Sequence, residues 1–455
     1  MLLEDRPMSG HWTWSTITVA VAILAAGRPA AAQSQQIPAP PQDHPVIIHS
    51  ATIHTVSGDP IDDDGYVVFD KGVITDVGRG RPPQLPGAEV IDAHGLHIYP
   101  GFIAADTTLG LVETQSVQVT VDTTELGRVT PEVRAAVAVN PDSSLIPVAR
   151  SNGILTGLVF PRGGLVAGRC STIRLDGWTW EQMAIDAEAG LVVNWPRTEP
   201  SRGFSFRRPQ SSEAEQRKQI AESLQEIERL FDDAVAYFQA RESDLTQATD
   251  LRYEAMRSAI SGEKPVFVRA SSVGQIESAI AWATRRDLRI VIVGGQEADK
   301  AIPLILKHDV PVIIAGLHRL PRHRYEPYDS AFTLPAKLHT AGVRFAIASG
   351  TSPAHERNLN HNAATAVAFG LARSEALRAV TLSAAEILGL GDTHGSIDVG
   401  KAATLIITQG DPLQITTDTL VAFIDGRQID LGNRQKAMHQ KYREKYRQLG
   451  LLDDS

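Results

Sequence analysis

"IYPGFIAADTTLGLVE", residues 98–113, holds an apolar run, Phe102–Ala105, that stops on Asp106, Thr107 and Thr108 before the turn residue Gly110. An apolar run this short, bounded by Gly101 and a polar triplet, reads as a fully buried strand whose end opens into a loop. The character of the chain changes at this point. From Val46 to Ile91 it consists of short β-type runs parted by Gly, Asp and Pro: "VIIHSATIHTV", "GYVVFDKGVITDVG" and "AEVIDAHGLHIYP". "FDKGVIT" carries a hairpin signal with Lys71-Gly72 at the turn. The same short-strand character returns in "GSIDVGKAATLIITQGDP" (395–412) and "LVAFIDGRQID" (420–430). Two β-rich segments around a long middle predict one small β-domain assembled from both ends of the chain.

The middle alternates apolar strands with helices. Predicted strands are 102–105, 153–160, 265–270, 288–295, 310–316 and 343–350, the last four parted by amphipathic helices such as "SVGQIESAIAWATRRD". Strand–helix–strand spacing of this kind indicates βαβ units and a parallel sheet, compatible with a (β/α)8 barrel. From Ser211 to about Ala259 one long charged helix or a helix pair is expected. Its start carries the capping pair Ser212 and Glu215, and Ile220, Leu224, Ile227, Leu230, Phe231, Ala234 and Phe238 form its apolar stripe.

The 455 residues are 43% apolar and 21% charged, and the net charge is −9. No long basic block is present, which argues against nucleic acid and anionic membrane surfaces as partners. The single cysteine, Cys170 in "GLVAGRCSTIRL", excludes an internal disulfide and reads as inert and strand-borne. At the N-terminus the apolar run 15–26 is too short to span a bilayer. Ala30 and Ala32 before Gln33 fit a cleavage site, so residues 1–32 read as an export signal, with translation starting at Met1 or Met8. The expected location is periplasmic or secreted, with no membrane insertion after cleavage. Residues 33–45 read as a polar, Pro-rich linker. The expected organisation is then a first β-sandwich segment at 46–97, the barrel at 98–394 and a second β-sandwich segment at 395–432. A basic C-terminal helix and tail at 433–455, docked by its tyrosines, completes it.

Four stretches together resemble the amidohydrolase superfamily, in its imidazolonepropionase-like branch. "GLHIYPGFIAAD" is similar to the strand entering the barrel, and "GVRFAIASGTS" to the final barrel strand. "AATAVAFGLARSEALRAVTLSAAEILGL" resembles the helices that follow, with Ala384 and Ala385 in a T-x-N-A-A signature whose Asn is Ser383 here. "GSIDVGKAATLIITQGDPL" with "VAFIDGRQI" resembles the return into the β-domain. The resemblance covers roughly residues 45–432. It implies a TIM barrel with a composite β-sandwich, and a site at the C-terminal ends of the strands.

The family's chemistry implies divalent-metal ligands at strand ends: His-x-His after the first strand, His after the fifth and sixth, Asp after the eighth. This chain has Asp106 and Thr108, Arg269, Gly294 and Thr351 at those positions. On that basis no metal cofactor is expected. His318, His323, His355 and His361 lie in loops after the seventh and eighth strands and read as solvent-facing. In place of a metal the strand ends offer a polar, partly cationic mouth of Asp106, Arg269, Arg322, Arg357 and Asn358, with Thr108 and Thr351. Asp106 and Arg269 form a buried ion pair, or Arg269 and Arg357 bind an anionic small molecule by forked hydrogen bonds. Gly163-Gly164 reads as a turn backing onto the mouth.

The function that the resemblance implies is hydrolysis of non-peptide or small-amide C–N bonds. Either a metal-independent form operates, with Asp106 as general base and Arg269 as oxyanion stabiliser, or the chemistry is lost. The rival readings are a non-catalytic periplasmic ligand-binding protein using the same mouth, and a subunit supporting an active paralogue in an oligomer, homo-oligomers included. No P-loop, Gly-x-Ser-x-Gly elbow or dinucleotide fingerprint is present in the sequence.

Overall fold

The structure, a computed structural model, describes residues 34, 36–200, 212–244, 246–350 and 352–452. The export segment at 1–32 and Thr351 lie outside the described residues. The described residues, from Ser34 onward, form one compact unit.

Strands β1 (Val46–Ile53), β2 (Ile61–Asp70), β3 (Val73–Arg79), β4 (Glu89–Asp92) and β5 (His97–Pro100) open the chain. Lys71 and Gly72 both take positive φ, 50° and 82°, and turn β2 into β3 as a two-residue hairpin. At the far end, β14 (Leu405–Thr408), β15 (Thr419–Ile424) and β16 (Arg427–Gln428) extend the same sheet. The join is antiparallel, with Leu405 opposite Pro100 and Thr408 opposite His97. The order is β16-β15-β14-β5-β1-β2-β3, with β4 paired on β1, so both chain ends share one hydrogen-bonded sheet. Its apolar face buries Ile48, Ile53, Phe69, Ile98, Leu405 and Phe423, with Phe69 and Phe423 edge-to-face at 5.0 Å.

The second sheet is a TIM-type barrel. It comprises β6 (Phe102–Thr107), β7 (Ile154–Val159), β8 (Val166–Arg174), β9 (Ala184–Asn194), β10 (Val266–Ala270), β11 (Ile290–Gly294), β12 (Val312–Ala315) and β13 (Phe345–Ala348). They follow one another in chain order, and β13 returns beside β6. Seven run parallel; β8 alone runs against its neighbours β7 and β9. Alternation sorts each strand's side chains. Ile103, Ala105, Leu158, Phe267, Val291, Val293 and Ile313 fill one core, while Phe102, Ala104, Val268 and Ile292 face the helices. Cys170 on β8 is fully buried.

The helix Glu213–Ser243 begins at Ser212, whose hydroxyl accepts from the Glu215 amide. Ile227, Phe231, Ala234 and Tyr237 are its buried stripe, and Phe231 meets Trp282 edge-on at 5.0 Å. Residues 36–45 have no regular secondary structure, yet they are tied down by polar bonds. Gln36 bonds Arg150 and the Gly432 carbonyl, and the Ala39 amide donates to Asp176. The C-terminal helix Arg434–Gln448 departs from the expectation that its tyrosines dock it: none of its residues is buried.

Candidate functional site

Parallel barrel strands end on one face, so a residue at the end of β6 and one at the end of β10 point toward the same mouth. Asp106 and Arg269 meet there. Arg269 donates through Nη1 to Asp106 Oδ1 and through Nη2 to Oδ2, both at 3.0 Å, a forked pair. A second guanidinium completes the group: Arg162 Nη2 donates to Asp106 Oδ1 at 3.0 Å. Asp106 is fully buried, while Arg269 and Arg162 keep a small share of their side chains in solvent. Burial alone would raise the Asp106 carboxyl, but Arg269 and Arg162 outweigh it and hold it below the usual aspartate range. A carboxylate clamped by three charge-assisted hydrogen bonds is a weak proton acceptor near neutral pH. Arg269 also stacks its guanidinium over Phe160, at 5.3 Å from the ring centroid.

Arg162 reaches Asp106 because the loop after β7 is held in a tight turn. Gly164 has φ +66°, and a Cβ there would stand 2.4 Å from the Arg128 carbonyl oxygen. Asn194, at the end of β9, donates its amide to the carbonyls of Arg162, Gly163 and Gly164. The Gly pair was legible as a turn; the arginine just before it carries the function of that turn.

Beside this cluster lies a second carboxyl, Glu356, in the short turn Pro353–Asn358 after β13. It is 1% exposed. Ser349 Oγ donates to its Oε1 at 2.6 Å, and its Oε2 is buried without a hydrogen-bond partner. Burial pushes the acid up to about 7, against the pull of the Ser349 hydroxyl and with a further push from Asp106. Two carboxyls share one mouth with their titrations driven in opposite directions, the pattern that separates a fixed charge from a proton carrier.

The other expected site residues are more dispersed. Thr108 is buried, with its backbone carbonyl accepting from Leu111. Arg357 is exposed, and the Asn358 carbonyl accepts from the Asn362 side-chain amide. Arg322 instead belongs to a separate group on the loops after β11 and β12, where its Nη1 donates to Gln296 at 2.7 Å.

That group corrects the expectation that no metal cofactor has a place here. Glu297, His323 and Glu326 each offer a ligand atom, all within 4.8 Å of one another. His323 Nε2 lies 3.0 Å from Glu297 Oε1. Two carboxylates and an imidazole are a donor set suited to a borderline divalent cation. Burial would raise the Glu297 carboxyl, but Lys300, the Val273 amide and Arg322 hold it below its ordinary range. Glu326 is held down likewise, chiefly by Lys300 and the amides of Arg322 and His323. Both carboxylates are thus charged and ready to ligate. Lys300 Nζ sits on them, 2.9 Å from Glu297 and 3.0 Å from Glu326, and marks where positive charge is favoured. The strand ends alone do not reveal this cluster, because its ligands stand further out on the loops. Glu297 lies three residues beyond Gly294, and the His323-x-x-Glu326 spacing in "RHRYE" was the signal available.

Of the remaining loop histidines, His318 is exposed and bonds Thr365 at 2.8 Å, and His355 is exposed. His361 is half-buried, and burial with His318 nearby lowers its titration. A different cavity, about 370 Å³, opens on the opposite side of the barrel, where Pro265, Ile290, Pro311 and Arg344 begin or precede their strands.

Residues 306–432 match the family described as the amidohydrolase family. Over 431 residues the chain is 23% identical to the amidohydrolase tasK of Hapsidospora irregularis, covering 84% of this chain and 43% of that protein. Over 151 residues it is 37% identical to an imidazolonepropionase of Pseudomonas fluorescens, covering 32% of this chain and 36% of that enzyme. The matches thus span less than half the length of these curated relatives. Among solved structures, an amidohydrolase from Thermotoga maritima MSB8 superposes with a TM-score of 0.74 at 24% identity, over 85% of this chain and 99% of that one. That likeness bears on the fold.

Proposed function

We propose that this chain, whose residues 306–432 match the amidohydrolase family and which over 151 residues resembles an imidazolonepropionase, hydrolyses carbon–nitrogen bonds of small molecules at the C-terminal mouth of its barrel. The observation that carries this reading is the convergence of Glu297, His323 and Glu326 on one point of that face. These three residues would hold the divalent cation. When bound, such a cation polarises a carbonyl and acidifies water.

The chain's own groups divide the remaining work. Glu356, poised to exchange a proton near neutrality, is the acid–base group of the mouth. Asp106 is a positioning residue: it keeps Arg162 and Arg269 side by side so that their remaining N–H groups present a fixed positive surface to a developing oxyanion or a substrate carboxylate.

The test is to load the full chain with Zn2+ or Mn2+, measure retained metal, and assay a panel of cyclic and linear amides that includes imidazolones. Turnover with retained cation, both lost in Glu297→Gln/His323→Ala, is expected. A double variant that keeps its cation, with the whole panel left intact, overturns the reading.

One observation favours a second reading, a non-catalytic binder of anionic small molecules. A single Asp106 faces two guanidiniums, which leaves surplus positive charge at a partly solvent-exposed spot. In that case carboxylate ligands raise the melting temperature of the wild type but not of Arg162→Ala, and no amide is hydrolysed.

A further inference from the structure

The C-terminal helix Arg434–Gln448 is well formed, yet none of its residues is buried against the other described residues. Asn433 caps it, its Oδ1 accepting from the Lys436 amide at 2.8 Å, and Gly450 closes it at φ +67°. Met438, Tyr442, Tyr446 and Leu449 fall at i, i+4, i+8 and i+11 and so make one apolar stripe. These four side chains are 41%, 46%, 44% and 59% exposed. Leu451 and Leu452, just past the cap, are exposed as well.

The charges around the stripe are ordered. Arg434, Lys441 and Lys445 run along one flank and Arg443 along the other, with Lys436 and Arg447 further round. Glu444, the helix's single acid, lies on the opposite face and bonds Gln448 and Arg447. Lys445 leans over the edge of the stripe, its Nζ 5.8 and 5.9 Å from the ring centroids of Tyr442 and Tyr446. A stripe of tyrosine, methionine and leucine with cations on both flanks is the pattern of a helix lying in a bilayer interface. There the basic side chains extend outward to headgroup phosphates while their stems cover apolar surface.

We propose that this helix docks the protein on anionic lipid bilayers, stripe down. Charge supports this occupant over a second copy of the chain. Pairing two such helices stripe to stripe would set Lys441 and Lys445 against the same cations of the partner. An anionic surface, in contrast, meets positive charge on every flank of the stripe. The chain as a whole carries −9, so its body is repelled by that surface and the helix becomes the one oriented point of attachment.

The experiment mixes the full chain with vesicles of phosphatidylglycerol and phosphatidylcholine, or of phosphatidylcholine alone, and separates bound protein by flotation. Binding to the anionic vesicles only, weakened by salt, is expected. It falls roughly 25-fold in Lys441→Gln/Lys445→Gln, because each basic residue at such a surface contributes about a fivefold factor. In Tyr446→Cys, a polarity-sensitive dye attaches at one place, since Cys170 is buried. Its emission shifts to the blue when anionic vesicles are added. Equal binding to neutral vesicles, or unchanged binding by the lysine variant, overturns the proposal and assigns attachment to another region of the chain such as the apolar run 15–26. A doubled solution mass abolished by the lysine variant, without vesicle binding, also overturns it and identifies a second copy as the occupant.

Discussion

Replacing Glu356 with Gln changes how stability depends on pH more than it changes stability at any one pH. The acid is 1% exposed, and burial lifts it from an ordinary 4.5 to about 7. A carboxyl raised in the folded state binds its proton more tightly there than in the unfolded chain. Its contribution is therefore fully present below about pH 4.5 and is lost as pH rises through about 7. A shift of that size corresponds to roughly 3 kcal/mol between the two limits, with a slope approaching about 1.4 kcal/mol per pH unit between them.

The introduced glutamine would still accept the Ser349 hydroxyl through its oxygen. Its NH2 would stand where Oε2 now has no partner, an offset of about 1–3 kcal/mol that does not vary with pH. Urea unfolding followed across about pH 4.5–8.5 separates the two effects. The wild-type midpoint falls toward high pH, and the Glu356→Gln curve is flatter by the amount above. Parallel curves for the two proteins refute the assignment of a proton to Glu356 near neutrality, and with it the acid–base role.

Three further outcomes follow from the same mouth and its supports. Arg269→Met leaves the fully buried Asp106 with one guanidinium and costs about 3–5 kcal/mol in urea unfolding, whereas adding Asp106→Asn costs less than the sum of the two single changes. Because Asp106 is held low, its contribution is present above the ordinary aspartate range and is lost only as pH falls below it, so Asp106→Asn flattens the acid limb of the stability curve and lowers the neutral region by an amount that does not vary with pH. Gly164→Ala meets both a positive φ and the Arg128 carbonyl at 2.4 Å; it destabilises by about 1–3 kcal/mol and lowers ligand affinity at Arg162 while the rest of the barrel keeps its hydrogen-exchange protection.

The elements that could be read from sequence are those whose signals are local. Lys71-Gly72 between two β-branched runs specifies a hairpin wherever it occurs, and the apolar runs ending at Ala105, Ala270, Gly294 and Ala348 needed only their flanking turns. β9 was harder because its first half, Ala184–Glu188, is only partly buried, and Asp186 and Glu188 interrupt its apolar pattern. It pairs with β8 in an antiparallel excursion that a strand–helix–strand reading has no place for. The site divides along the same line. Asp106 and Arg269 were recognisable as partners because strand ends converge on one face whatever lies between them. Arg162, Ser349, Glu356, Glu297, His323 and Glu326 stand on loops, whose convergence depends on the closed barrel and leaves no period in the sequence. The charge total hid the C-terminal helix in a comparable way. A net charge of −9 sums over a surface that no partner meets whole. At the range of a Debye length, about 8–10 Å, a bilayer meets mainly the helix nearest to it, and six Lys and Arg against one Glu decide the sign of that encounter.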